Sequence, residues 1–478
     1  MTQKIEKGYS QDACWTAELL VEAVPGRWLI PPHDGWRATG VSIFAPAMQP
    51  GNMVCVRGEN ESGGILSDSL DRLPFPPAAL IVSDEGLVTG CNVPVYLVND
   101  WNEALFCMGR YARGKMSGNV IGVTGSAGKT TCVAMLTAAL AEWGPACGSV
   151  ANANLPRGVA WNIASMPWNT PQIVLEMAIG RMDLSSRMVR PTVAVVTNIQ
   201  AVHLKGSQSL NDIARTKAMI FLGMKPGDVA VLNRDMQEWD CIYTAAIKQG
   251  LRVVTYGQRG ECDCRLVSYD PATRRVTAEI FGRRLSYTLQ AEGQHMALNS
   301  VAVLSVVSSL GYSPEQALAR LSRFEALSGR GEVNSLIVAA HPLTVIDDAY
   351  NANPGSMRAA VAQLSESNLP GRKVIVLGEM AELGDEYEQY YLALMDEINR
   401  STVDNIYLIG QTYKEYGGAI SSSKQCIVLD DIEAFKAVYL KTIQDSDVVL
   451  FKGSHAAQIW KLVNWLKLLA ARRVHSSH

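Results

Sequence analysis

The 478-residue sequence lacks the features that mark several specialised classes of protein. None of its apolar runs approaches the ~20 residues that a membrane-spanning helix needs. The first fifteen residues contain no apolar segment typical of a secretory signal. A net charge of -3 provides no general attraction for nucleic acid or for an anionic membrane. We therefore expect a cytoplasmic protein that has no nucleic-acid or membrane partner.

The ten cysteines also lack a recognisable metal-binding arrangement. No Cys-x-x-Cys pair occurs, and Cys262 and Cys264 form a single Cys-x-Cys motif, which is too short for the usual zinc-ligand spacing. Reduced and mostly buried thiols are the simpler interpretation. An apolar fraction of 48% and a charged fraction of 19% are typical of globular proteins, and the length suffices for about three domains.

Alternating strand and helix patterns predict an α/β protein with three domains. Residues 1–116 are predicted to form a small α/β N-terminal domain, with a helix over 101–113. Residues 117–328 are predicted to form a central parallel-sheet domain of the P-loop ATPase type. Residues 329–478 are predicted to form a C-terminal Rossmann-like domain.

Apolar runs predict the individual strands of the two larger domains. In the central domain, parallel strands are predicted at 119–124, 173–177, 193–198 and 229–233, and short antiparallel strands at 252–256, 277–281 and 284–289. In the C-terminal domain, strands are predicted at 343–348, 373–378, 405–410 and 447–452. The polar, glycine-rich segment 327–332 is predicted to be a linker between the two domains.

The clearest motif is the segment Gly122–Thr131, which reads GVTGSAGKTT between a predicted strand and a predicted helix. Backbone N–H groups approach phosphate closely only where side chains are small, and the helix N-terminus adds the positive end of its dipole. The residues predicted to surround the phosphates are Gly125, Ser126, Ala127 and Gly128. Lys129 is predicted to neutralise the β- and γ-phosphates, and Thr130 or Thr131 to bind magnesium. The motif therefore predicts binding of ATP, or a close relative of it, with Mg²⁺.

The same motif resembles the phosphate loop of the Mur ligase family, and further segments are similar to that family in the same order. These segments are the asparagine-rich loop 151–158, the strand 174–177, the loop 197–206, the helical segment 214–217, the loop 293–299 and the hinge motif 328–331. Three more segments resemble the branch of the family that adds D-alanyl-D-alanine, namely 347–354, 377–384 and 452–454. The resemblance covers residues ~118–465 and is specific because so many motifs share one order.

The resemblance implies roles for individual residues. The implied catalytic residues are Lys129, Glu176, His203 and Lys217, and the implied metal ligands are Thr130, Glu176, His203 and Lys217, the last as a carbamate. Thr131, at the end of the phosphate loop, is a further implied nucleotide contact, and Asn299, Arg330 and Asp347 are the implied contacts outside the loop. The implied substrate contacts are Asn152, Asn154, Asn351, Asn353, Lys452 and Ser454. Turn geometry for Asn351 and Asn353, and simple solvation for Lys452, remain open as alternatives.

The chemistry implied by the resemblance is the ATP-dependent joining of a carboxylate to an amine. The carboxylate takes the γ-phosphoryl group and becomes an acyl phosphate, and the amine then displaces phosphate. The expected partners are small molecules, a carboxylate donor and an amino acid or dipeptide acceptor. The sequence leaves the oligomeric state open, and a monomer is compatible with it.

The N-terminal segment departs from the uridine-nucleotide site expected from this branch of the family. Phe44, Ala45 and Pro46 stand where the resemblance expects Asp-Ser-Arg, and an expected Asp-Gly-His run is missing from 59–65. These apolar side chains cannot hydrogen-bond a diphosphate, and each unpaired polar group costs ~1–3 kcal/mol. We therefore predict a Mur-type ligase that uses a different donor: a non-standard amino acid, a peptide or a natural-product intermediate.

Two alternatives remain open. The first is the ordinary peptidoglycan ligase that joins UDP-MurNAc-tripeptide to D-Ala-D-Ala, with a diverged uridine pocket. The second is a regulatory protein that binds ATP but has lost its chemistry. The presence of Lys129, Glu176, His203 and Lys217 together argues against the second alternative.

Overall fold

The computed structural model describes residues 15–200, 209–385 and 387–474. These residues form three large β-sheets with flanking helices, and each sheet is built from one continuous part of the chain. The predicted α/β class with three domains is therefore confirmed.

The first part of the chain forms a small sheet whose strands are mostly parallel. Its elements are β1 Trp15–Thr16, α1 Ala17–Ala23, β2 Gly26–Ile30, β3 Arg37–Ala38, β4 Gly40–Ser42, β5 Asn52–Arg57, β6 Ile65–Leu66, β7 Leu80–Val82, β8 Val95–Val98 and α2 Trp101–Lys115. The sheet order is β2-β8-β7-β5-β4, with β2 antiparallel to β8 and β6 paired with β5. Helix α2 begins at its predicted residue because the Asp100 carboxylate accepts hydrogen bonds from two first-turn N–H groups.

The central part forms a nine-stranded sheet. Its elements are β9 Asn119–Thr124, α3 Lys129–Leu140, β10 Ala146–Gly148, α4 Pro156–Ser165, β11 Gln172–Glu176, α5 Met182–Val189, β12 Val193–Val196, α6 Leu210–Ala218, β13 Val229–Asn233, α7 Trp239–Lys248, β14 Arg252–Gly257, β15 Cys264–Asp270, β16 Arg275–Ile280, β17 Arg283–Thr288, α8 Gln294–Ser309 and α9 Pro314–Leu321. The order is β10-β11-β9-β12-β13-β14-β15-β16-β17. The phosphate loop thus leaves a central strand, β9, at the carboxyl edge of the sheet.

One predicted strand direction in this sheet is wrong. The strand at 252–256 was expected to be antiparallel, but β14 pairs in parallel with both β13 and β15. Helix α7 carries the chain back across the sheet before β14, so β14 runs in the same direction as β13. The antiparallel pairing begins only with β15 and β16 and continues to β17.

The last part forms a six-stranded sheet between two layers of helices. Its elements are β18 Glu332–Val338, β19 His341–Asp348, α10 Pro354–Glu366, β20 Lys373–Gly378, α11 Tyr387–Arg400, β21 Asn405–Ile409, α12 Thr412–Tyr416, β22 Gln425–Leu429, α13 Ile432–Thr442, β23 Asp447–Lys452 and α14 Trp460–Val474. The order is β18-β19-β23-β20-β21-β22, and only β18 is antiparallel to its neighbour. The predicted linker ends at Gly331, because Glu332 already belongs to β18.

The strands of the three sheets lie within residues 15–98, 119–288 and 332–452. We retain domain limits at 1–116, 117–328 and 329–478 as a proposal, because these limits leave every sheet whole. Among the described helices, none combines the length and apolar character that crossing a membrane would require.

Candidate active site

A cavity of about 1030 Å³ lies between the carboxyl edge of the central sheet and the C-terminal sheet. In open α/β sheets, ligands bind outside the carboxyl ends of the strands. The cavity lining brings together fifteen of the predicted residues: Ser126, Ala127, Gly128, Lys129, Thr130, Thr131, Asn152, Asn154, Glu176, Asn299, Arg330, Asn351, Asn353, Lys452 and Ser454. His203 lies outside the described residues.

The phosphate loop is shaped by the end of the neighbouring strand β12. Gly125 has φ +148°, and a Cβ at this position would lie 1.9 Å from Thr197 Oγ1, so only glycine fits. The Thr197 hydroxyl donates to the Ala127 carbonyl oxygen at 2.6 Å. Asn198 Oδ1 accepts hydrogen bonds from the backbone N–H groups of Ser126 and Ala127 at 3.1 and 2.8 Å. In this conformation Asn198 therefore holds the two N–H groups that were predicted to face phosphate.

Lys129 is the first residue of α3 and lies at the positive end of that helix. Its Nζ donates to the Gly125 carbonyl oxygen at 2.9 Å, across the phosphate loop. Burial lowers the pKa of Lys129, the charge of Glu176 opposes this shift, and the charge of Arg330 adds to it. A partly buried cation at a helix N-terminus is stabilised by an anion, so this arrangement fits the phosphates of ATP.

Thr130 and Glu176 form an oxygen pair that fits magnesium. The Thr130 hydroxyl donates to Glu176 Oε2 at 2.6 Å, and the Asn154 amide donates to Glu176 Oε1 at 2.8 Å. Mg²⁺ prefers oxygen ligands and usually takes one or two from the protein, with phosphates and water completing its shell. Thr130 and Glu176 would therefore hold the ion, and bound Mg²⁺ would neutralise phosphate charge. This contact favours Thr130 over Thr131 as the hydroxyl ligand.

Lys217 lies behind the phosphate loop and is only 1% exposed. Its Nζ donates to the Gly125 carbonyl oxygen at 2.9 Å, the same oxygen that Lys129 contacts. Burial, followed by the nearby charge of Lys129, holds the pKa of Lys217 well below its usual value, and Glu176 opposes this shift. The residue does not line the cavity directly, but its amine lies at the base of the loop.

The hinge between the two domains places Arg330 in the cavity. The guanidinium group lies 4.3 Å from the centroid of the Tyr350 ring, within cation–π range. The Tyr350 N–H donates to the Gly329 carbonyl oxygen at 3.1 Å, which fixes the hinge to the end of β19. Burial lowers the pKa of Arg330, and the charge of Glu176 acts in the opposite direction. The placement agrees with the predicted contact to phosphate.

The predicted nucleotide contact by Asp347 does not fit the structure. Asp347 does not line the cavity; its carboxylate accepts from Ala349 N–H at 3.3 Å and lies 3.8 Å from Lys467 Nζ. The next residue, Asp348, lines the cavity instead. Successive side chains of a strand point to opposite faces, so a shift of one residue decides which carboxylate reaches the ligand.

Lys452 lines the cavity as one partner of an ion pair with Asp348. Its side chain is 3% exposed, and Nζ donates to Asp348 Oδ2 at 2.6 Å and to the Asn351 carbonyl oxygen at 3.2 Å. Since its side chain is buried and paired, Lys452 is not simply a solvated lysine, and its contact with a substrate carboxylate stays a prediction. His295 lies near this pair, and burial lowers the pKa of His295.

The remaining C-terminal residues combine a cavity position with a structural contact. Asn353 Oδ1 caps α10 by accepting from Ser356 N–H at 2.8 Å, in agreement with the turn-geometry alternative. The Ser454 hydroxyl accepts from Ala457 N–H at 3.3 Å. Asn351 is exposed towards the cavity. Asn353 and Ser454 can still present polar atoms to a ligand, because both residues line the cavity.

Sequence reasoning missed Asp348, Tyr350 and Gln200 as cavity residues. The Gln200 N–H donates to Ser126 Oγ at 2.9 Å, and Ser126 Oγ donates to the Gln200 carbonyl oxygen at 3.0 Å. The Gln200 side chain also packs against Gly355 of the C-terminal domain. Two signals were available for Gln200, namely its place in the loop 197–206 and its position two residues after the strand-end Asn198.

This phosphate loop, the Thr130–Glu176 oxygen pair and the Arg330 hinge define an ATP-dependent enzyme in which a second α/β domain closes the site. Comparison with known proteins gives the family. The profile of the Mur ligase middle domain matches residues 123–307, and that of the Mur ligase glutamate ligase domain matches residues 329–455. The chain belongs to the Mur ligase family and is an ATP-dependent ligase that forms amide bonds, with Mg²⁺ as the accompanying ion.

Individual relatives carry more specific names. The UDP-N-acetylmuramoyl-tripeptide–D-alanyl-D-alanine ligase of Bacillus subtilis is 31% identical over 383 residues, 78% of this chain and 81% of the relative. A crystal structure of MurF from Acinetobacter baumannii matches with a TM-score of 0.80 at 25% identity, over 96% of this chain and 99% of that chain. MurF from Thermotoga maritima in complex with ADP has the same fold, with a TM-score of 0.72 at 24% identity over 91% and 98% of the two chains. An inactive regulatory protein is therefore not supported.

Proposed function

We propose that the chain joins UDP-N-acetylmuramoyl-tripeptide to D-alanyl-D-alanine with ATP, the reaction in the name of its Bacillus subtilis relative. The observation that carries this proposal is the extent of the match. The Acinetobacter baumannii MurF structure covers 96% of the chain, so the similarity includes the N-terminal sheet as well as the two ligase domains. The alternative considered from the sequence therefore replaces the non-standard donor as the first candidate. The same relatives support our proposal of a cytoplasmic location.

In the proposed mechanism, the donor carboxylate takes the γ-phosphoryl group of ATP, and the acceptor amine then displaces phosphate from the acyl phosphate. Lys129 and Arg330 lie in the cavity where the phosphates would bind, and both would stabilise the charge that develops on them. Asn154 orients the Glu176 carboxylate through its 2.8 Å hydrogen bond. Contacts to nucleotide by Asn299 and to substrates by Asn152 and Asn351 are proposed because all three line the same cavity.

We further propose that Lys217 is carbamylated and that His203 is a metal ligand, as the family resemblance implies. Carbamylation requires a neutral amine to attack carbon dioxide. The lowered pKa of Lys217 supports the proposal, because burial and Lys129 disfavour the protonated form. The resulting anion would lie beside Lys129 and replace a repulsion between two cations with an attraction.

A second candidate, a donor without a uridine diphosphate, is favoured by one observation in the N-terminal domain. Phe44 is 49% exposed and precedes a short 3-10 helix, Ala45–Ala47, which contains no polar side chain. Exposed apolar groups at this point offer no hydrogen bond to a diphosphate. The observation applies only to the donor and leaves the ligase chemistry unchanged.

Phosphate release, measured with a matrix of donors and amines, tests both candidates. We expect phosphate release only when UDP-N-acetylmuramoyl-tripeptide, D-alanyl-D-alanine and ATP are all present. Lys129→Ala should abolish this release. The matrix should include the same tripeptide without the uridine diphosphate, other peptides and free amino acids. Release with the uridine-free donors alone would reject the first candidate in favour of the second. An absence of release with every pair would reject both.

A further inference from the structure

The loop that follows β5, residues 58–64, is held in place by a residue of the central domain. Its first half is fixed within the N-terminal domain, where Arg57 Nη1 donates to the Gly58 carbonyl oxygen and the Gly58 N–H donates to Glu61. Its second half is fixed from outside, because Arg157 Nη1 donates to the Ser62 carbonyl oxygen at 2.9 Å. The two residues are 95 positions apart in the sequence.

Arg157 makes two further contacts with the N-terminal domain. Its Nε donates to Asn102 Oδ1 at 2.8 Å, and its guanidinium group lies 5.2 Å from the centroid of the Trp101 ring. Both partners lie in the first turn of α2. The three contacts use the planar fork and the flat face of the guanidinium group, and all three are with neutral groups. They therefore specify a geometry and do not neutralise a charge.

Two of the three glycines of the loop, Gly63 and Gly64, lie against Arg157 and Trp101 and leave little room for a side chain. A Cβ at Gly63 would lie 1.8 Å from Arg157 Nη1, and Gly63 has φ +79°. A Cβ at Gly64 would lie 3.2 Å from the Trp101 ring. A side chain at Gly63 would therefore displace the guanidinium group from the Ser62 carbonyl oxygen.

Arg157 also belongs to the segment that forms one end of the active site. It lies in the first turn of α4, three residues after Asn154, whose amide donates to Glu176 at 2.8 Å. Asn154 and Leu155 line the cavity. One short segment therefore contacts both the carboxylate at the reaction centre and the loop at the carboxyl edge of the N-terminal parallel sheet, an edge where α/β sheets bind ligands.

We propose that Arg157 is a positioning residue for the acyl donor: it fixes loop 58–64 relative to Glu176 and so aligns a donor bound at the N-terminal sheet with the reaction centre. The inference rests on the proposed function in one respect, that the donor binds at this edge of the N-terminal domain. Arg157 acts through the loop and needs no contact with the reacting atoms.

The test compares Michaelis constants for the donor, for ATP and for the amine. Arg157→Met should raise the KM for the donor about tenfold, the effect of losing hydrogen bonds from a charged group. The KM for ATP should stay within about twofold of the wild-type value, because the phosphate loop is untouched, whereas kcat should fall because the donor loses alignment. Arg157→Lys should also raise the donor KM, since an ammonium group keeps the charge but cannot replace the fork. The control is Arg284→Met, a change at an exposed arginine, which should alter none of the three Michaelis constants.

Gly63→Ala tests the same idea without removing the arginine. The matched control is Gly90→Ala, because Gly90 has φ +80° in the same domain with nothing within 4 Å of the added Cβ. Both variants carry similar backbone strain, and only Gly63→Ala displaces Arg157. We expect only Gly63→Ala to raise the donor KM. Equal effects of the two glycine variants, or a parallel rise in the KM for ATP, would overturn the proposal.

Hydrogen exchange separates this inference from the proposed function. Arg157→Met should speed amide exchange in residues 59–64 compared with wild type and Arg284→Met, whatever donor the enzyme uses. Unchanged exchange in this loop would reject the positioning role even if the predicted donor is turned over. If wild type turns over only a uridine-free donor, the first candidate function fails, and the KM comparison is made with that donor.

Discussion

At the scale of single residues, Lys129 and Lys217 share one acceptor. Both Nζ atoms donate to the Gly125 carbonyl oxygen at 2.9 Å. Two protonated amines that share one acceptor oxygen repel each other, and burial adds a desolvation cost to each charge. The pKa of Lys217 is accordingly held well below its usual value. A neutral Lys217 relieves the repulsion and is also the form that reacts with carbon dioxide.

We expect Lys217→Ala to lose turnover, with partial recovery when a short carboxylate such as formate or acetate is added. The added anion would occupy the space of the proposed carbamate, next to Lys129. The measurement is phosphate release with and without the carboxylate, and Lys129→Ala is the control that the carboxylate should not rescue. Wild-type activity in Lys217→Ala would contradict the assignment.

The same residue gives a dependence on pH with a defined sign. An amine is neutral above its pKa, so the lowered pKa of Lys217 keeps it reactive at pH values far below the ~10.4 of an ordinary lysine. We expect bicarbonate to activate wild-type enzyme that has been stripped of carbon dioxide, and this activation to weaken as the pH falls through the lowered pKa. Activation that appears only near the pH of an ordinary lysine would be inconsistent with the structure.

At the scale of elements, two helices of the C-terminal domain have side-chain caps, and only one of these caps lines the cavity. Asn353 caps α10 at the cavity, and Asp431 caps α13 without lining the cavity. Asn353→Ala and Asp431→Ala should each lower the free energy of unfolding by about 1 kcal/mol, because each removes a side-chain cap. Only Asn353→Ala should also lower turnover, since α10 then loses its position in the site. Thermal unfolding and steady-state kinetics measure the two effects, and equal kinetics in both variants would show that α10 has no role in the site.

At the scale of the whole molecule, the central and C-terminal domains meet where Gln200 packs against Gly355. A Cβ at Gly355 would lie 2.6 Å from the amide atoms of the Gln200 side chain. We therefore expect Gly355→Val to displace the Gln200 side chain or α10 from the domain contact and to lower turnover by about tenfold, because small displacements of reacting groups are costly. The measurement is turnover at saturating substrate, with thermal unfolding to confirm that the variant folds.

Two comparisons decide whether the domain contact is the cause. Changing Gln200 to Ala in the Gly355→Val protein should restore part of the turnover, because it removes the side chain that clashes. Gly418→Val, in the same domain with nothing within 4 Å of its added Cβ, should leave turnover unchanged. If the double variant does not recover turnover, the loss in Gly355→Val has a cause other than the contact with Gln200.

Much of the local structure follows directly from the sequence. β9 has its predicted limits, 119–124, and α3 follows the glycine loop as predicted, because an apolar strand, a glycine loop and a helix start are all encoded within about twenty neighbouring residues. β15, β18 and β22 were not predicted. β15 has two buried positions, and β18 and β22 have one each, so none of the three carries a continuous apolar run.

The sequence by itself determined the class of protein, the phosphate loop and the order of the site motifs, because each of these depends on residues that are neighbours along the chain. Only the tertiary structure decided that Asp348 and not Asp347 faces the cavity, that Lys452 is already paired, and that Arg157 holds the N-terminal loop. These contacts depend on the direction in which a strand presents each side chain and on the packing of segments about a hundred residues apart. No local pattern encodes either of them.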